Sequence, residues 1–306
     1  MAQTLSLDRS DTTVRQEAGA RQRRRGPATS RKAPWGWNLL AIVVGILFLV
    51  PFVWLVLTAF TNNGTLGVSL SGGLTASNFS SLFASNSASE AIGEGVGGAL
   101  MNSLYLSGGT MVVTTVVAVL TAYPLSRFRI PGSNILVLAI VFVTGLPIVA
   151  VVIPTYDIFV SLNFINSLLW TVLFMAATSL PFAVWIAKNF IDNVPIELEE
   201  AAATDGAGTF RTLRHITAPL SIPGLLVIAL FTFIQSWSNF FVPFVLLQTP
   251  KLPASVTIYQ FFGEHTINYS GLCAFALIFT AVPVALYVLL SRRTGGTSLF
   301  TGAVKG

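Results

Sequence analysis

Residues 39–60 read LLAIVVGILFLVPFVWLVLTAF, an apolar stretch without a single charged side chain. A helix needs about 20 apolar residues to cross the hydrocarbon core of a bilayer, so this stretch is long enough to span a membrane. It is too long for the apolar region of a cleaved signal peptide, and no A-x-A cleavage site follows it. The stretch therefore predicts a transmembrane helix that anchors the chain in a lipid bilayer.

The composition of the whole chain agrees with this prediction. Of its 306 residues 53% are hydrophobic and only 9% are charged, whereas about 25% are charged in an average soluble domain. The mean hydropathy is +0.75. We therefore predict an all-α polytopic membrane protein with six transmembrane helices. The predicted spans are Leu39–Phe60 and the approximate ranges 99–125, 135–156, 168–187, 224–247 and 271–290. Prolines within several of them predict kinks, among them Pro51, Pro147, Pro243 and Pro283.

The distribution of basic residues predicts the orientation of the chain. Of the 17 Lys and Arg residues, 16 fall in the terminal segments or at the loops that follow spans two and four, and only Lys251 falls elsewhere. Because positively charged loops stay in the cytoplasm, both termini are predicted to be cytoplasmic. The opposite loops carry four acidic residues and are predicted to face outward: Glu90, Glu94, Asp157 and Glu264.

The same partition divides the chain into three segments. Residues 1–36 are polar and arginine-rich, which predicts a disordered cytoplasmic tail whose basic residues lie near anionic headgroups. Residues 37–292 form the predicted transmembrane domain, and residues 293–306 form a cytoplasmic C-terminal tail. The basic residues do not cluster on a predicted folded surface, so we expect no nucleic-acid partner.

Signatures of catalysis and of cofactor binding are missing from the sequence. There is no G-x-x-x-x-G-K-[ST] phosphate loop, so the chain is not predicted to bind ATP by that route. H-E-x-x-H and C-x-x-C motifs are also missing, and His215 and His265 stand alone. The single cysteine, Cys273, cannot form an intramolecular disulfide. We therefore predict a protein without enzymatic activity, metal site or cofactor.

A charged segment interrupts the apolar sequence between spans four and five. Residues 197–220 read ELEEAAATDGAGTFRTLRHITAPL and lie in a predicted loop of residues 191–223, which we call the charged loop. Glutamates favour a helix N-terminus and alanines favour its continuation, so a first helix is predicted at the start of this segment. A turn with positive φ is predicted at Gly206, and a second helix over Thr209–Ile216, stopped by Pro219. On these features alone, a helical hairpin lying on the lipid headgroups is the simpler interpretation.

The spacing within the charged loop is more specific than its composition. The run Glu200-Ala201-Ala202 is followed after three residues by Gly206, and after nine more by Ile216, with Pro219 three positions later. This spacing resembles the EAA loop of the membrane subunits of bacterial ABC importers. One departure is Ala218, which stands where that family usually has leucine.

The flanking sequence resembles one subgroup of these importers, the maltose-type carbohydrate permeases. The resemblance covers about residues 38–292, and leaves out the N-terminal tail and much of the loop over residues 61–97. The runs that carry it are NSL at 102–104, AYPLSRF at 122–128, LPFAVW at 180–185, IDNVPIELEEAA at 191–202 and FTFIQSWSNF at 231–240.

The resemblance implies a function and a set of partners. It implies a permease subunit in a bacterial cell membrane that forms the pathway for a carbohydrate delivered by an extracytoplasmic solute-binding protein or lipoprotein. The other implied partners are a second homologous permease subunit and a cytoplasmic ATP-binding subunit dimer. In the family the EAA loop carries a coupling helix that docks in a cleft of the ATPase. The residues that match it here are Glu200, Ala201, Ala202, Asp205, Gly206, Ile216 and Pro219.

Neutral polar residues are the candidates for the pathway itself. Gln235, Ser238 and Asn239 are spaced i, i+3, i+4 in span five, and Asn102 and Tyr105 lie in span two. Amide, hydroxyl and aromatic groups suit a sugar. The same side chains can instead hold membrane helices together, and the sequence leaves both roles open.

Three alternative functions remain at this stage. The solute of an ABC importer can be a polyol or a glycerol phosphate instead of a sugar. A secondary transporter or channel is disfavoured by the EAA spacing and because the predicted spans hold no ionisable residue in their central portions. A membrane scaffold without a transport function would not need polar faces on spans two and five.

Overall fold

The computed structural model describes residues 35–61, 73–83, 95–262 and 268–293. The regular elements in these residues are helices, which confirms the predicted all-α class. The helices are α1 (Trp35–Ala59), α2 (Ser77–Phe83), α3 (Gly95–Arg127), α4 (Ser133–Val143), α5 (Ile148–Ser161), α6 (Leu168–Asp192), α7 (Ile196–Thr204), α8 (Thr209–Leu220, with a π-helical turn at Leu213–Thr217), α9 (Ile222–Trp237), α10 (Phe241–Leu246), α11 (Ala254–Thr257, followed by a 3₁₀ turn at Ile258–Phe261) and α12 (Tyr269–Arg293).

Two compact units divide the chain between Val53 and Trp54. The first unit contributes the apolar start of α1, and the second contains every helix from α2 to α12. The charged loop lies entirely within the second unit. The predicted outward loop residues Glu90, Glu94 and Glu264, and most of the two predicted tails, lie outside the described residues.

Four of the described helices are long and apolar enough to cross a membrane: α1, α3, α6 and α12. They correspond to the predicted spans one, two, four and six, and they begin at or before the predicted residues. Pro51 and Pro283 lie inside α1 and α12, which continue past them. The count in the described residues reaches up to six when two bent helix pairs are each taken as one span. These pairs are α4 with α5, and α8 with α9, of which α8 belongs to the charged loop.

The predicted third span is broken in the structure. The prediction of a single helix over residues 135–156 was wrong, because α4 and α5 meet at an angle of 89°. The break ends at Pro147, which has an extended conformation (φ −65°, ψ 126°) and immediately precedes α5. Proline cannot donate a backbone hydrogen bond and disfavours helical geometry in the residue before it, so the predicted kink becomes a break. Asp157, which was assigned to a loop, lies within α5.

The predicted fifth span is also interrupted. α9 ends at Trp237 and α10 begins at Phe241. The prediction of a continuous helix over residues 224–247 was therefore wrong. The Asn239 side chain explains the restart, because its Oδ1 accepts a hydrogen bond from the Val242 N–H at 3.1 Å and so caps α10. Pro243 then lies in the first turn of α10, where its missing N–H costs no helical bond.

The centre of the second unit is formed by α3, α6 and α9, which pack against one another. Small residues on α3 allow this close approach, as is usual between membrane helices. At Gly109, for example, an added Cβ would lie only 3.1 Å from the Val172 side chain of α6. The small residues of α3 that are fully buried follow helical spacing: Ser107, Thr110, Thr114, Ala118 and Ala122.

Candidate functional site

The first half of the charged loop is a helix followed by a tight glycine turn. α7 begins after Pro195 and carries Glu197 and Glu199 in its first turn, where carboxylates interact favourably with the helix dipole. At its end the Gly206 N–H donates to the Ala203 carbonyl (3.0 Å) and the Ala207 N–H donates to the Ala202 carbonyl (2.9 Å). This pair of bonds is the Schellman arrangement, which requires a left-handed residue at its centre. The predicted positive φ of Gly206 is confirmed at +83°.

The second half of the charged loop differs from the prediction at its end. α8 passes through Pro219 and ends only at Leu220, and the sharp turn of 78° into α9 falls at Ser221. The prediction that Pro219 stops the helix was wrong for a local reason. Pro219 lies in the first turn of the segment Ala218–Leu220, just after the π-helical turn, where a missing N–H is tolerated.

The structure separates the predicted coupling residues by exposure. Five of them are exposed, while Ala202 and Ile216 are partly covered. A Cβ added at Gly206 would meet nothing within 4 Å, so this chain leaves open space beside the turn. The exposed members are Glu200, Ala201, Asp205, Gly206 and Pro219.

A buried carboxylate lies next to these exposed residues, and sequence reasoning did not single it out. Glu199 is 9% exposed, and its Oε1 accepts from Arg127 Nε at 2.9 Å and from Thr217 Oγ1 at 2.8 Å. Its Oε2 accepts from the Tyr123 hydroxyl at 3.0 Å. We call these four residues the Glu199 cluster. It joins α7, α8 and the end of α3.

Arg127 extends this cluster to the end of α6. Its Nη2 donates to the carbonyls of Ile191 (2.9 Å) and Val194 (2.8 Å). These carbonyls belong to the last turn of α6 and the connection that follows, where helix carbonyls lack intrahelical partners. Beside them, the hydroxyl of Ser126 donates to Asp192 Oδ1 at 2.5 Å. Arg127 therefore satisfies both the Glu199 carboxylate and the C-terminal end of α6.

A weak signal for this cluster is present in the sequence. Tyr123 and Arg127 are four positions apart and so lie on one face of a helix, near its end, and an acidic partner is needed if that face is buried. The sequence offers Glu197, Glu199 and Glu200 with no means of choosing among them, because the partner lies 72 positions away.

A cavity of about 780 Å³ lies among α4, α5, α6 and α9. Aromatic and aliphatic side chains form much of its wall, with Phe174, Phe182 and Phe231 among them. The residues that line it include no charged side chain in the described part of the chain. Its polar lining residues are Thr144, Thr178, Ser179, Thr232, Gln235, Ser236 and Asn239.

The structure divides the predicted pathway residues into two groups. Gln235 and Asn239 line the cavity, whereas Ser238, in the break after α9, is not among the lining residues. Asn102 is not among the lining residues, and its Nδ2 donates to the carbonyls of Pro250 (3.1 Å) and Leu252 (3.3 Å). Tyr105 is exposed on α3 and does not line the cavity either.

Sequence comparison assigns the chain to a family. Residues 114–295 match the family described as the binding-protein-dependent transport system inner membrane component. A protein of Streptomyces antibioticus described as an ABC transporter permease is 38% identical over 209 residues, which cover 68% of this chain and 90% of that protein. The trehalose transport system permease protein of Mycobacterium tuberculosis is 27% identical over 281 residues, which cover 90% of this chain and 99% of that protein.

A solved structure agrees at the level of the fold. A chain of a bacterial ABC transporter involved in the import of the acidic polysaccharide alginate superposes with a TM-score of 0.70, covering 87% of this chain and 99% of that chain at 18% identity. The family match spans more than half of the chain. It includes the charged loop, all four residues of the Glu199 cluster and all the residues that line the cavity. The apolar helices, the charged loop and these matches together identify the chain as a multi-pass membrane protein of the binding-protein-dependent transport system inner membrane component family.

Proposed function

We propose that this chain forms the translocation pathway of an ABC importer for a carbohydrate. The observation that carries the proposal is the uncharged polar cavity among α4, α5, α6 and α9 in a chain of this family. The trehalose permease named above supports the same solute class. So does the resemblance of the flanking runs to the maltose-type permeases.

The chemistry of the cavity favours a neutral polyhydroxylated solute over a phosphate. Amide and hydroxyl groups such as those of Gln235, Asn239 and Ser236 can both donate and accept hydrogen bonds, as sugar hydroxyls require. A glycerol phosphate would call for Arg or Lys side chains, which bind phosphate through charge-assisted bonds. The described lining residues supply none. A neutral polyol remains the second candidate, because it needs the same hydrogen-bonding groups as a sugar.

The proposed assembly supplies the energy from outside this chain. The exposed surface of the charged loop, with Glu200, Asp205 and Gly206, is proposed to dock on a cytoplasmic ATPase dimer. A second homologous permease completes the pathway, and an extracytoplasmic solute-binding protein delivers the solute. We propose that this subunit has no ATPase activity of its own. After removal of partner subunits, the purified chain should neither bind nor hydrolyse ATP, and hydrolysis that survives this removal would contradict the assignment.

The proposed orientation places both termini and the charged loop in the cytoplasm. Fusion of a reporter that is active only in the cytoplasm should give a signal at Arg293 or within residues 206–210. The same reporter should be silent at Ser71 or Lys251. A cytoplasmic signal at Lys251 would overturn the orientation and the six-span arrangement together.

The solute class is tested by uptake. The chain is produced with its partner permease, ATPase and binding protein, and uptake of labelled trehalose, maltose, diacetylchitobiose, glycerol and glycerol 3-phosphate is measured. We expect uptake of at least one saccharide, and a loss of that uptake in Gln235→Leu. Ser238→Ala, outside the cavity lining, is the matched control and should transport normally. Uptake of glycerol or glycerol 3-phosphate without any saccharide would overturn the carbohydrate proposal.

A further inference from the structure

The Glu199 cluster holds both halves of the charged loop at once. Glu199 belongs to α7, and Thr217, which donates to the same carboxylate, belongs to the end of the π-helical turn in α8. Gly206 lies between these two helices in sequence. A displacement of the exposed turn therefore cannot move α7 or α8 separately without breaking a bond to Glu199.

The cluster also fixes the charged loop to one particular helix. Arg127 and Tyr123 both belong to α3, and both donate to Glu199. Arg127 and Glu199 each have side chains that are only 10% exposed. Water competes weakly for a pair buried to this degree, and loss of one partner leaves the other buried and unpaired. The attachment is therefore stiffer than an exposed ion pair such as Lys188–Asp192.

The other end of α3 is attached to a different segment. Asn102 donates to the carbonyls of Pro250 and Leu252, and the Ala254 N–H donates to Ser103 Oγ at 2.8 Å. We call residues 250–254 the distal segment. Asn102 and Arg127 are 25 positions apart on one helix, which corresponds to about 37 Å at 1.5 Å per residue.

We propose that Glu199 is a positioning residue for energy coupling. By fixing α7 and α8 to the end of α3, it makes α3 move with the charged loop and carries that movement to the distal segment. This inference rests on the proposed function, in which an ATPase displaces the charged loop. Glu199 itself does not touch the ATPase in this account, since its carboxylate faces into the chain.

The role of the carboxylate leads to a graded set of variants. Glu199→Gln keeps the shape but replaces one acceptor oxygen with a donor, which faces groups that themselves donate. Tyr123→Phe and Thr217→Val each remove one hydroxyl and leave the ion pair with Arg127 in place. Glu197→Gln makes the same chemical change as Glu199→Gln on the same helix, at an exposed position, and is the matched control.

The first readout is the ratio of solute taken up to ATP hydrolysed by the complete importer in proteoliposomes. The probe is labelled trehalose or maltose, whichever the wild-type importer transports. We expect Glu199→Gln to retain the ATPase in a pull-down and to lower the ratio roughly fivefold or more. Tyr123→Phe and Thr217→Val should each lower it about two- to threefold, and Glu197→Gln should leave it unchanged.

The second readout needs no solute and follows the distal end of α3 directly. A cysteine is placed at exposed Gln248, next to the distal segment, in a Cys273→Ser background, so that it is the only thiol of this chain. We expect its maleimide labelling rate to change roughly fivefold or more when ATP and vanadate close the ATPase, and this change to be lost in Glu199→Gln. Glu197→Gln should keep the change.

The outcomes separate this inference from the proposed function. If the wild-type importer neither retains the ATPase nor transports a saccharide, the proposed function fails. If the wild type transports while Glu199→Gln keeps the normal ratio and the labelling change, the positioning role is wrong. If Glu199→Gln does not insert into the membrane, Tyr123→Phe and Thr217→Val test the positioning role in its place. A normal uptake-to-hydrolysis ratio and a normal labelling change in both variants would also overturn that role.

Discussion

The charged loop and the cavity differ in whether their polar groups are charged and paired with one another. In the charged loop the one buried carboxylate, Glu199, is bonded to an arginine and two hydroxyls. In the cavity the polar groups are uncharged, and the amides of Gln235 and Asn239 line open space. An ionic cluster resists displacement, because separating its members exposes unpaired charge. In the proposed function, neutral groups around the cavity would bind a solute without a charged partner.

This contrast assigns different tasks to the two regions. The Glu199 cluster fixes helices to one another, and the cavity is the proposed solute site. Variants that weaken the first region should therefore affect stability and coupling. Variants of Gln235 in the second should affect uptake while leaving the fold intact. The four predictions below test that separation, beginning with the largest expected effect.

Arg127→Ala should have the largest effect on stability. It leaves Glu199 buried without its cation and removes the donors to the carbonyls of Ile191 and Val194. We expect the free energy of unfolding to fall by about 3–5 kcal/mol. The measurement is thermal unfolding of the detergent-solubilised chain, followed by size-exclusion chromatography. Lys188→Ala, which breaks only the exposed pair with Asp192, is the control and should cost about 0–1 kcal/mol. Equal melting of the two variants would contradict the contrast.

Gly206→Glu should abolish retention of the ATPase while the chain still inserts. A side chain at φ +83° strains the turn by about 1–2 kcal/mol, and the added group projects into the open space where docking is proposed. Pull-down of the ATPase measures the loss. Gly208→Glu is one control, because it adds the same group two positions away at an ordinary φ of −75°. Gly206→Asn is the other, because asparagine tolerates a positive φ and so changes the side chain with less backbone strain. If Gly206→Glu retains the ATPase and transports normally, the charged loop is only a surface hairpin.

Asn102→Ala and Gln235→Ala should have opposite phenotypes. Asn102→Ala removes the donor to Pro250 and Leu252, so we expect a loss of about 1 kcal/mol in stability. Gln235→Ala should leave the melting temperature unchanged and lower saccharide uptake. Melting and uptake are measured on the same preparations. A large uptake defect in Asn102→Ala, with normal melting and a normal ratio of solute taken up to ATP hydrolysed, would return that residue to the pathway.

Glu200→Ala should have the smallest effect of the series. Glu200 is exposed on α7, directly beside buried Glu199, and an exposed carboxylate contributes little to the fold. We expect normal insertion and melting, with a mild decrease in ATPase retention. Glu199→Ala, examined alongside, should melt at a clearly lower temperature. Identical melting of the two alanine variants would show that their different burial has no energetic consequence.

The sequence was sufficient for the features that depend on neighbouring residues. The long apolar runs predicted α1, α3, α6 and α12, and the glycine after an alanine-rich helix predicted the positive φ of Gly206. These features follow from local composition and backbone sterics. The same information failed at the third and fifth spans, because an apolar run has the same composition whether its helix is straight or broken.

Contacts between distant residues were not predictable from one sequence. The pattern around Gln235 and Asn239 assumed a continuous helix, which Asn239 itself interrupts by capping α10. Glu199 could not be distinguished from its neighbouring glutamates, because its burial depends on how α7 rests against Tyr123 and Arg127. Both cases depend on tertiary placement, which periodicity within a single segment does not encode.

The length of α3 has a consequence for the membrane around it. Its 33 residues correspond to about 50 Å, whereas the hydrocarbon layer of a typical bilayer is about 30 Å thick. Asn102 and Arg127 are about 37 Å apart by the same rise, which is more than the hydrocarbon thickness, so we expect both polar attachments to lie at the interfacial layers. Thinner bilayers increase helix tilt through hydrophobic mismatch. We therefore expect the length of the lipid chains to change the angle at which α3 connects the charged loop to the distal segment.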